Sequence, residues 1–162
     1  MTDIIVRDLR VTDLEIVWSI NQENVPAVGE ETLANLSKIH EQSAIALVAE
    51  VSNQIVGFCM VLLPGADYGS PNYEYFCERL VDFIYLDRVA VTEKFRGMGI
   101  GAALYREVEM RANAEWFALE VNTKPRNDGS LRFHAREGFV QMEELETRPG
   151  KMVSLMVKKL KG

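Results

Sequence analysis

The stretch FIYLDRVAVTEKFRGMGIGAALYREVEMRA, residues 83–112, constrains this chain most. An apolar strand, Phe83 to Val91, leads through a glycine-bearing loop, Arg96 to Gly101, into a helix whose apolar residues recur as Ile100, Leu104, Val108 and Ala112. Gly97, Gly99 and Gly101 let the backbone approach a ligand without interference from Cβ atoms, and the first free N–H groups of the helix then point at that ligand. An anion fits best there, because unpaired donors and the positive end of the helix dipole act together. Arg96 adds a fixed charge at the mouth. The stretch therefore predicts a phosphate- or pyrophosphate-binding turn.

The flanking sequence predicts a mixed sheet around this unit. Asp3 to Leu9 alternates and is β-branched, as a first strand does. Thr12 and Glu15 have the spacing of a capping box and open a first helix through Leu14, Val17, Trp18 and Asn21, interrupted by Pro26 and Gly29. Leu33, Leu36 and Ile39 give a second helix over Glu30 to His40. Ala44 to Val51 and Ile55 to Leu63, separated by Ser52, Asn53 and Gln54, read as an antiparallel hairpin. Residues 64–81 form a long loop rich in Pro, Gly and aromatic residues, with a short helix near Tyr75 to Leu80. Loops of that length in a compact domain are often functional.

Beyond the central helix, Trp116 to Asn122 is a strand and Thr123 to Asn127 a loop. Asp128 to Glu137 is a short helix, capped by Asn127 or Asp128 and ended by Gly138. Phe139 to Leu145 and Met152 to Leu160 are final strands joined through Pro149 and Gly150. The order β-α-α-β-β-β-α-β-α-β-β predicts an α/β fold of the α+β, mixed-sheet kind, parallel where the central helices cross over.

A chain of 162 residues is most simply one domain, able to bury about 70% of the surface its unfolded form exposes. The net charge of −6 argues against nonspecific nucleic-acid binding, which clustered Lys and Arg drive. No apolar run approaches the roughly 18 residues of a membrane helix, and MTDIIVRDLR carries charge where a secretory signal has its apolar core. The expectation is a cytoplasmic protein without membrane or nucleic-acid partners. Cys59 and Cys77 have neither metal-ligand nor disulfide-framework spacing, so no metal is expected.

Three anion-binding loops compete for residues 96–101. A nucleoside-triphosphate P-loop needs Lys and Ser or Thr after its last glycine, where Ala102 and Ala103 stand. Gly97, Gly99 and Ala102 satisfy a dinucleotide fingerprint, with Glu120 near the position of its ribose-binding acid, but five residues (Thr92 to Arg96) separate strand and first glycine where that turn is tight. The third reading covers more of the chain. R-G-M-G-I-G at Arg96 to Gly101 fits [Q/R]-x-x-G-x-[G/A] after the strand L-D-R-V-A-V, and Asn127, Ser130, Gly138 and Phe139 stand in N-x-x-[A/S]-x(7)-G-F. In these motifs and in element order the chain resembles the GNAT superfamily of acyl-CoA-dependent N-acetyltransferases.

That resemblance implies an enzyme moving an acetyl group from acetyl-CoA to a primary amine, on a small molecule or as an exposed amino group of a peptide. No metal takes part, and a homodimer is implied. It implies that the fourth and fifth strands splay apart to admit pantetheine. Val89, Ala90 and Val91 would bond the pantetheine, and Arg96, Gly97, Met98, Gly99, Ile100 and Gly101 would hold the pyrophosphate of coenzyme A. Asn127, Ser130, Phe133 and His134 would border the thiol end. Lys124, Arg126, Arg132 and Arg136 against Asp128 leave three excess positive charges in an acidic protein, suited to the 3′-phosphate end.

The chemistry needs a base for the amine, donors for the oxyanion and an acid for the thiolate. The backbone N–H near Val89 is the implied oxyanion donor. Many family members place a tyrosine acid where this chain has His134, so His134 either replaces that acid or only contacts the cofactor. Asp87 and Glu120 are the candidate bases. Tyr68, Tyr73, Tyr75 and Phe76, among Asp67, Glu74, Glu78 and Asp82, would offer a cationic amine both aromatic faces and carboxylates.

Two other readings remain, a noncatalytic acyl-CoA-binding or regulatory module and a dinucleotide-dependent oxidoreductase. A ligand that binds only the folded state stabilises by about 2.7 kcal/mol at a hundred times its Kd. Coenzyme A is expected to raise the Tm in a thermal-shift assay where NAD and NADP leave it unmoved; the reverse order would favour the oxidoreductase.

Overall fold

The computed structural model describes residues 3–161. The seven strands are β1 (Ile4–Asp8), β2 (Ile45–Val51), β3 (Gln54–Leu62), β4 (Phe83–Val91), β5 (Trp116–Lys124), β6 (Val140–Arg148) and β7 (Lys151–Lys159). The helices are α1 (Leu14–Glu23), α2 (Leu33–Gln42), α3 (Pro71–Arg79), α4 (Ile100–Arg111) and α5 (Asp128–Arg136). Strand order in the mixed sheet is β1-β2-β3-β4-β5-β7-β6. The element order is the expected one with α3 added between the third and fourth strands. No helix of the described residues is long and apolar enough to cross a membrane.

The chain forms two compact units, one running to Leu62 and resuming over Asp87–Ala112, the other comprising Leu63–Leu86 and the chain from Asn113 onward. Strand β4 contributes its first half to the second unit and its second half to the first.

In the first unit β1, β2 and β3 form an antiparallel meander. Its hairpin turns through Ser52 and Asn53, both in left-handed backbone (φ 51° and 64°), which matches the twist of the flanking strands. Consecutive residues Val56 and Phe58–Leu62 of β3 are buried, the pattern of a strand covered on both faces. Helix α4 packs through Ile100, Leu104, Tyr105 and Val108, and α1 and α2 pack through Val17, Ile20, Leu36 and Ile39.

Two local details differ from the sequence reading. The Thr12 and Glu15 capping box does not form. Instead Asp13 accepts the Arg10 N–H at 2.7 Å and the Arg7 guanidinium at 2.8 and 3.1 Å. The Asp13 carboxylate is the acceptor that closes this turn, and hydrogen bonding from Arg7 holds it below its ordinary range. Helix α2 starts at Leu33 rather than Glu30, because the Thr32 hydroxyl caps it by accepting the Asn35 N–H at 3.0 Å.

Arg88, on β4, is 6% exposed and gathers the segment between α1 and α2. Its guanidinium donates to Asp87 (2.6 Å), Asn21 Oδ1 (2.8 Å), Glu31 (3.0 Å) and the Gly29 carbonyl (3.2 Å). A planar fork with five donors can serve four acceptors at fixed angles, which an ammonium cannot.

In the second unit β5 pairs with β7 in antiparallel register from Trp116↔Lys159 to Lys124↔Met152. With β4 it pairs in parallel through three positions only, Phe83↔Trp116, Ile84↔Phe117 and Tyr85↔Ala118. Helix α3 is longer than the sequence reading had it. Ser70 caps it by accepting the Tyr73 N–H, and Pro71 occupies its first turn, where a missing N–H costs nothing. Tyr73 and Phe76 of α3 stack against Phe83 and Tyr85 of β4 at centroid distances of 5.3 to 6.4 Å.

Replacing Arg88 with methionine leaves the Asp87 and Glu31 carboxylates without this counter-charge. Breaking a buried pair from one side costs about 3–5 kcal/mol, so Arg88→Met is expected to lower the urea midpoint steeply, and Arg88→Lys to recover only part of the loss.

Candidate active site

The predicted anion loop lies in the first unit. After β4 the chain makes one tight turn, with the Phe95 N–H donating to the Thr92 carbonyl at 3.0 Å and the Arg96 N–H to the Glu93 carbonyl at 3.3 Å. Gly97 (φ +76°) and Gly99 (φ +83°) then take left-handed conformations. A Cβ on either would meet nothing within 4 Å, so glycine serves the backbone angle here and the space over the loop is open. Gly99 caps α4 with no side-chain acceptor for the helix N–H groups. Gly101 differs from the other two, since it lies within the helix and needs no special angle.

Buried Ile100 (2% exposed) anchors the helix start, while Met98 is exposed at 48%. The exposed Arg96 donates to Asn24 Oδ1 at 2.7 Å, and the Asn24 amide donates to the Ile20 carbonyl at 2.8 Å and the Val91 carbonyl at 3.2 Å. Asn24 thus fastens the loop's arginine and the end of β4 to the end of α1. Open backbone, an uncapped helix start and an oriented guanidinium suit a pyrophosphate. Val89 and Val91 are half-buried and Ala90 is buried. The Asp87 carboxylate, also in this unit, is committed to the Arg88 guanidinium at 2.6 Å.

The second unit brings together Asn127, Ser130, Phe133 and His134. The Asn127 side chain caps α5 by accepting the Ser130 N–H at 3.2 Å. His134 is buried, its ring edge-on to Phe133 (5.0 Å) and Phe139 (5.4 Å). His134 Nδ1 lies 2.7 Å from the Ser130 carbonyl oxygen. A carbonyl only accepts, so Nδ1 carries the proton and Nε2 carries the lone pair when the ring is neutral. Burial lowers the pKa of this imidazole, against a smaller opposing effect of the Ser130 carbonyl. At neutral pH His134 is therefore a hydrogen-bond acceptor at Nε2 and not a standing acid. Lys124, Arg126, Arg132 and Arg136 are all exposed, with Arg126 paired to Asp128.

Glu120 projects from β5 within a polar cluster. Its two carboxylate oxygens lie 2.8 and 2.7 Å from the Tyr85 hydroxyl, and Oε1 accepts the Asn72 amide at 3.0 Å. Sequence reasoning found Glu120 but missed both partners. Tyr85 reads as core, and a single Asn in a loop-like stretch carries no periodic signal. Alternation along β5 puts Glu120 and Phe117 on opposite faces. Phe117 touches Phe139, which touches His134 (5.2 and 5.4 Å), so Glu120 and His134 serve opposite faces of the strand.

The expected aromatic acceptor surface does not form. Tyr73 (2%), Tyr75 (9%) and Phe76 (0%) are buried: α3 turns Tyr73 and Phe76 against β4, and Tyr75 lies under the Arg79 guanidinium. The Tyr73 hydroxyl is spent on the Leu63 carbonyl and the Ala66 N–H, and Tyr68 packs edge-on against the Tyr73 ring at 5.6 Å.

Residues 9–139 match the family model described as Acetyltransferase (GNAT) family. The chain belongs to the GNAT acetyltransferase family. No curated protein sequence matches it. Among solved structures it is similar to Ard1 from Thermoplasma volcanium, with 24% identity, a TM-score of 0.78 and coverage of 98% of this chain and 99% of that one. It is also similar to the ribosomal-protein-S18-alanine N-acetyltransferase from Escherichia coli, with 16% identity, a TM-score of 0.75 and coverage of 99% and 96%. Naa20 from Chaetomium thermophilum, solved with a bisubstrate analogue, shares 23% identity at a TM-score of 0.75, covering 96% of this chain and 86% of that one. At these identities the structural likeness concerns the fold. GNAT acetyltransferases use acetyl-CoA, and the glycine loop, with α4 and its uncapped start, stands where the motif requires.

Because the folded GNAT domain disfavours the charged form of His134, the unfolded chain binds more protons as pH falls below the ordinary value of 6.5. Stability from this group is complete above that value and is lost as pH drops toward the lowered folded pKa, by at most about 1.4 kcal/mol per pH unit. His134→Asn is expected to flatten the fall in urea midpoint between about pH 7 and about pH 5.

Proposed function

We propose that this GNAT protein transfers the acetyl group of acetyl-CoA to a primary amine, carried by a small molecule or exposed on a polypeptide. The observation that carries the reading is the Arg96–Gly101 turn, where left-handed Gly97 and Gly99 lead into a helix without a side-chain cap. That arrangement supports pyrophosphate binding by Gly97, Met98, Gly99, Ile100 and Gly101 with Arg96 beside them. Val89, Ala90 and Val91 would bond the pantetheine arm. Asn127, Ser130 and Phe133 would border the thiol end, and Lys124, Arg132 and Arg136 would attract the 3′-phosphate.

Glu120 is the better supported base. Asp87 is already paired with the Arg88 guanidinium at 2.6 Å, whereas Glu120 is held by the Tyr85 hydroxyl and the Asn72 amide. Glu120 would take a proton from the ammonium, directly or through a water. The neutral amine then attacks the thioester carbonyl and forms the C–N bond. A backbone N–H near Val89 would stabilise the oxyanion, and as the C–S bond breaks the excess proton on the attacking nitrogen passes, directly or through a water, to the departing thiolate, leaving the amide and coenzyme A. The neutral ring of His134 favours a contact with the donor's thiol end over the acid role, since proton donation from Nε2 would first require charging a buried imidazole. The name of the E. coli neighbour, which specifies a protein alanine, motivates including peptide amines among the acceptors tested.

Thiol release from acetyl-CoA over a panel of amines and peptides tests the activity. Turnover with at least one acceptor is expected, and Glu120→Gln is expected to lower kcat by about 10²–10⁴-fold while the thermal shift with coenzyme A persists. Binding of coenzyme A without turnover of any acceptor would favour a noncatalytic acyl-CoA module.

A further inference from the structure

The Asn72 side chain is held at a cost that the fold does not explain. Its Nδ2 lies 3.0 Å from Glu120 Oε1, and because a carboxylate oxygen only accepts, the amide must present its NH2 group there. Oδ1 is then left buried and without a hydrogen-bond partner. Buried polar atoms are paired in the great majority of cases, and an orphaned carbonyl opposes folding. A leucine of similar volume would remove the orphan. What it would also remove is the amide's hydrogen bond to Glu120.

Tyr85 makes the second contact. Its ring is fully buried, stacked on Tyr73 at 5.3 Å and Phe76 at 6.0 Å, so its hydroxyl has little freedom. With both carboxylate oxygens within 2.8 Å of that hydroxyl, the orientation of the Glu120 carboxylate is set by a rigid donor on one side and an amide on the other. Strand β7 faces Glu120 with Leu155, flanked on that face by Val153 and Val157. On α3 the neighbouring ionisable groups are Tyr73, whose hydroxyl is already bonded, and the exposed Glu74. Glu143 of β6, which pairs with Leu155, reaches α3 and accepts from the Tyr75 hydroxyl, and Lys124 lies four residues along β5.

We infer that Asn72 and Tyr85 are positioning residues for acetyl transfer, a two-donor clamp that keeps Glu120 ionised and aimed for proton removal from the acceptor amine. The inference rests on the reading of Glu120 as base. Donors to the ionised form favour that form, so the clamp extends proton removal to lower pH. Neither residue needs to touch either substrate for this.

Asn72→Leu, Tyr85→Phe and Glu120→Gln test it, each followed by Tm, by kcat and KM for the amine, and by the pH profile of kcat/KM. With Asn72→Leu the Tm is expected to hold or rise, while kcat falls about tenfold to a hundredfold. The acid limb of the profile is expected to move up by about one pH unit. Tyr85→Phe is expected to move the limb in the same direction, with the thermal shift by coenzyme A unchanged in both. A destabilised or unfolded Asn72→Leu would make the amide structural and overturn the proposal. An unmoved acid limb in both variants, with Glu120→Gln inactive, would overturn the clamp and leave the base intact. Full turnover in Glu120→Gln would instead remove the base reading on which the clamp depends.

Discussion

Glu120 sits where it does because β5 keeps its ladder with β7 along its whole length while its ladder with β4 lasts for three pairs. Backbone N–H and C=O groups must find partners, and beyond Ala118 the ladder with β7 supplies them to β5, with a register shift between Asn122 and Lys124. Tyr85 occupies the last paired position, opposite Ala118. From there its ring reaches diagonally to the residue two further on, Glu120, the distance over which long side chains on one face meet. The polar cluster is thus a consequence of where the parallel ladder stops, and α3 completes it by packing Tyr73 and Phe76 over the same strand ends.

Two buried or half-buried charge clusters illustrate different uses of the same chemistry. Around Arg88 every contact joins the guanidinium to an anion, a carbonyl or an amide oxygen, and the result ties β4 to the segment between α1 and α2. Fully matched networks of that kind rigidify. Around Glu120 a hydroxyl and an amide supply hydrogen bonds, and that amide is left with an unpartnered oxygen. Orphaned buried polar atoms of this kind are rare in folded proteins.

Much of the fold was legible in the sequence because it rests on short-range signals. Apolar, β-rich runs on either side of Ser52–Asn53 define the hairpin, and β4 runs from Phe83 to Val91 as read. The Arg96–Gly101 loop with its α4 start, and the Asn127 cap of α5, follow from glycine and asparagine chemistry within a few residues. Helix α3 was read too short because its cap, Ser70, sits inside a Pro- and Gly-rich stretch that looks like loop. The Thr12 and Glu15 spacing caps nothing, since the turn before α1 is closed by the Asp13 carboxylate, which accepts from the Arg10 N–H and the Arg7 guanidinium. The aromatic run from Tyr73 to Phe76 misled because composition does not tell which way a helix face turns.

By itself the sequence determined the family, the order of every strand and of all helices but α3, and the glycine turn before α4, because each depends on local backbone geometry that particular residues impose. Tertiary structure alone decided how the candidate catalytic groups are used. It brought Arg88 to Glu31 and Glu120 to the Tyr85 hydroxyl. It fixed the proton of His134 on Nδ1, and it set Asn72 against a strand 48 residues away in the chain. Charge state and hydrogen-bond direction are properties of the surroundings, and those surroundings exist only once strands and helices distant in sequence have packed.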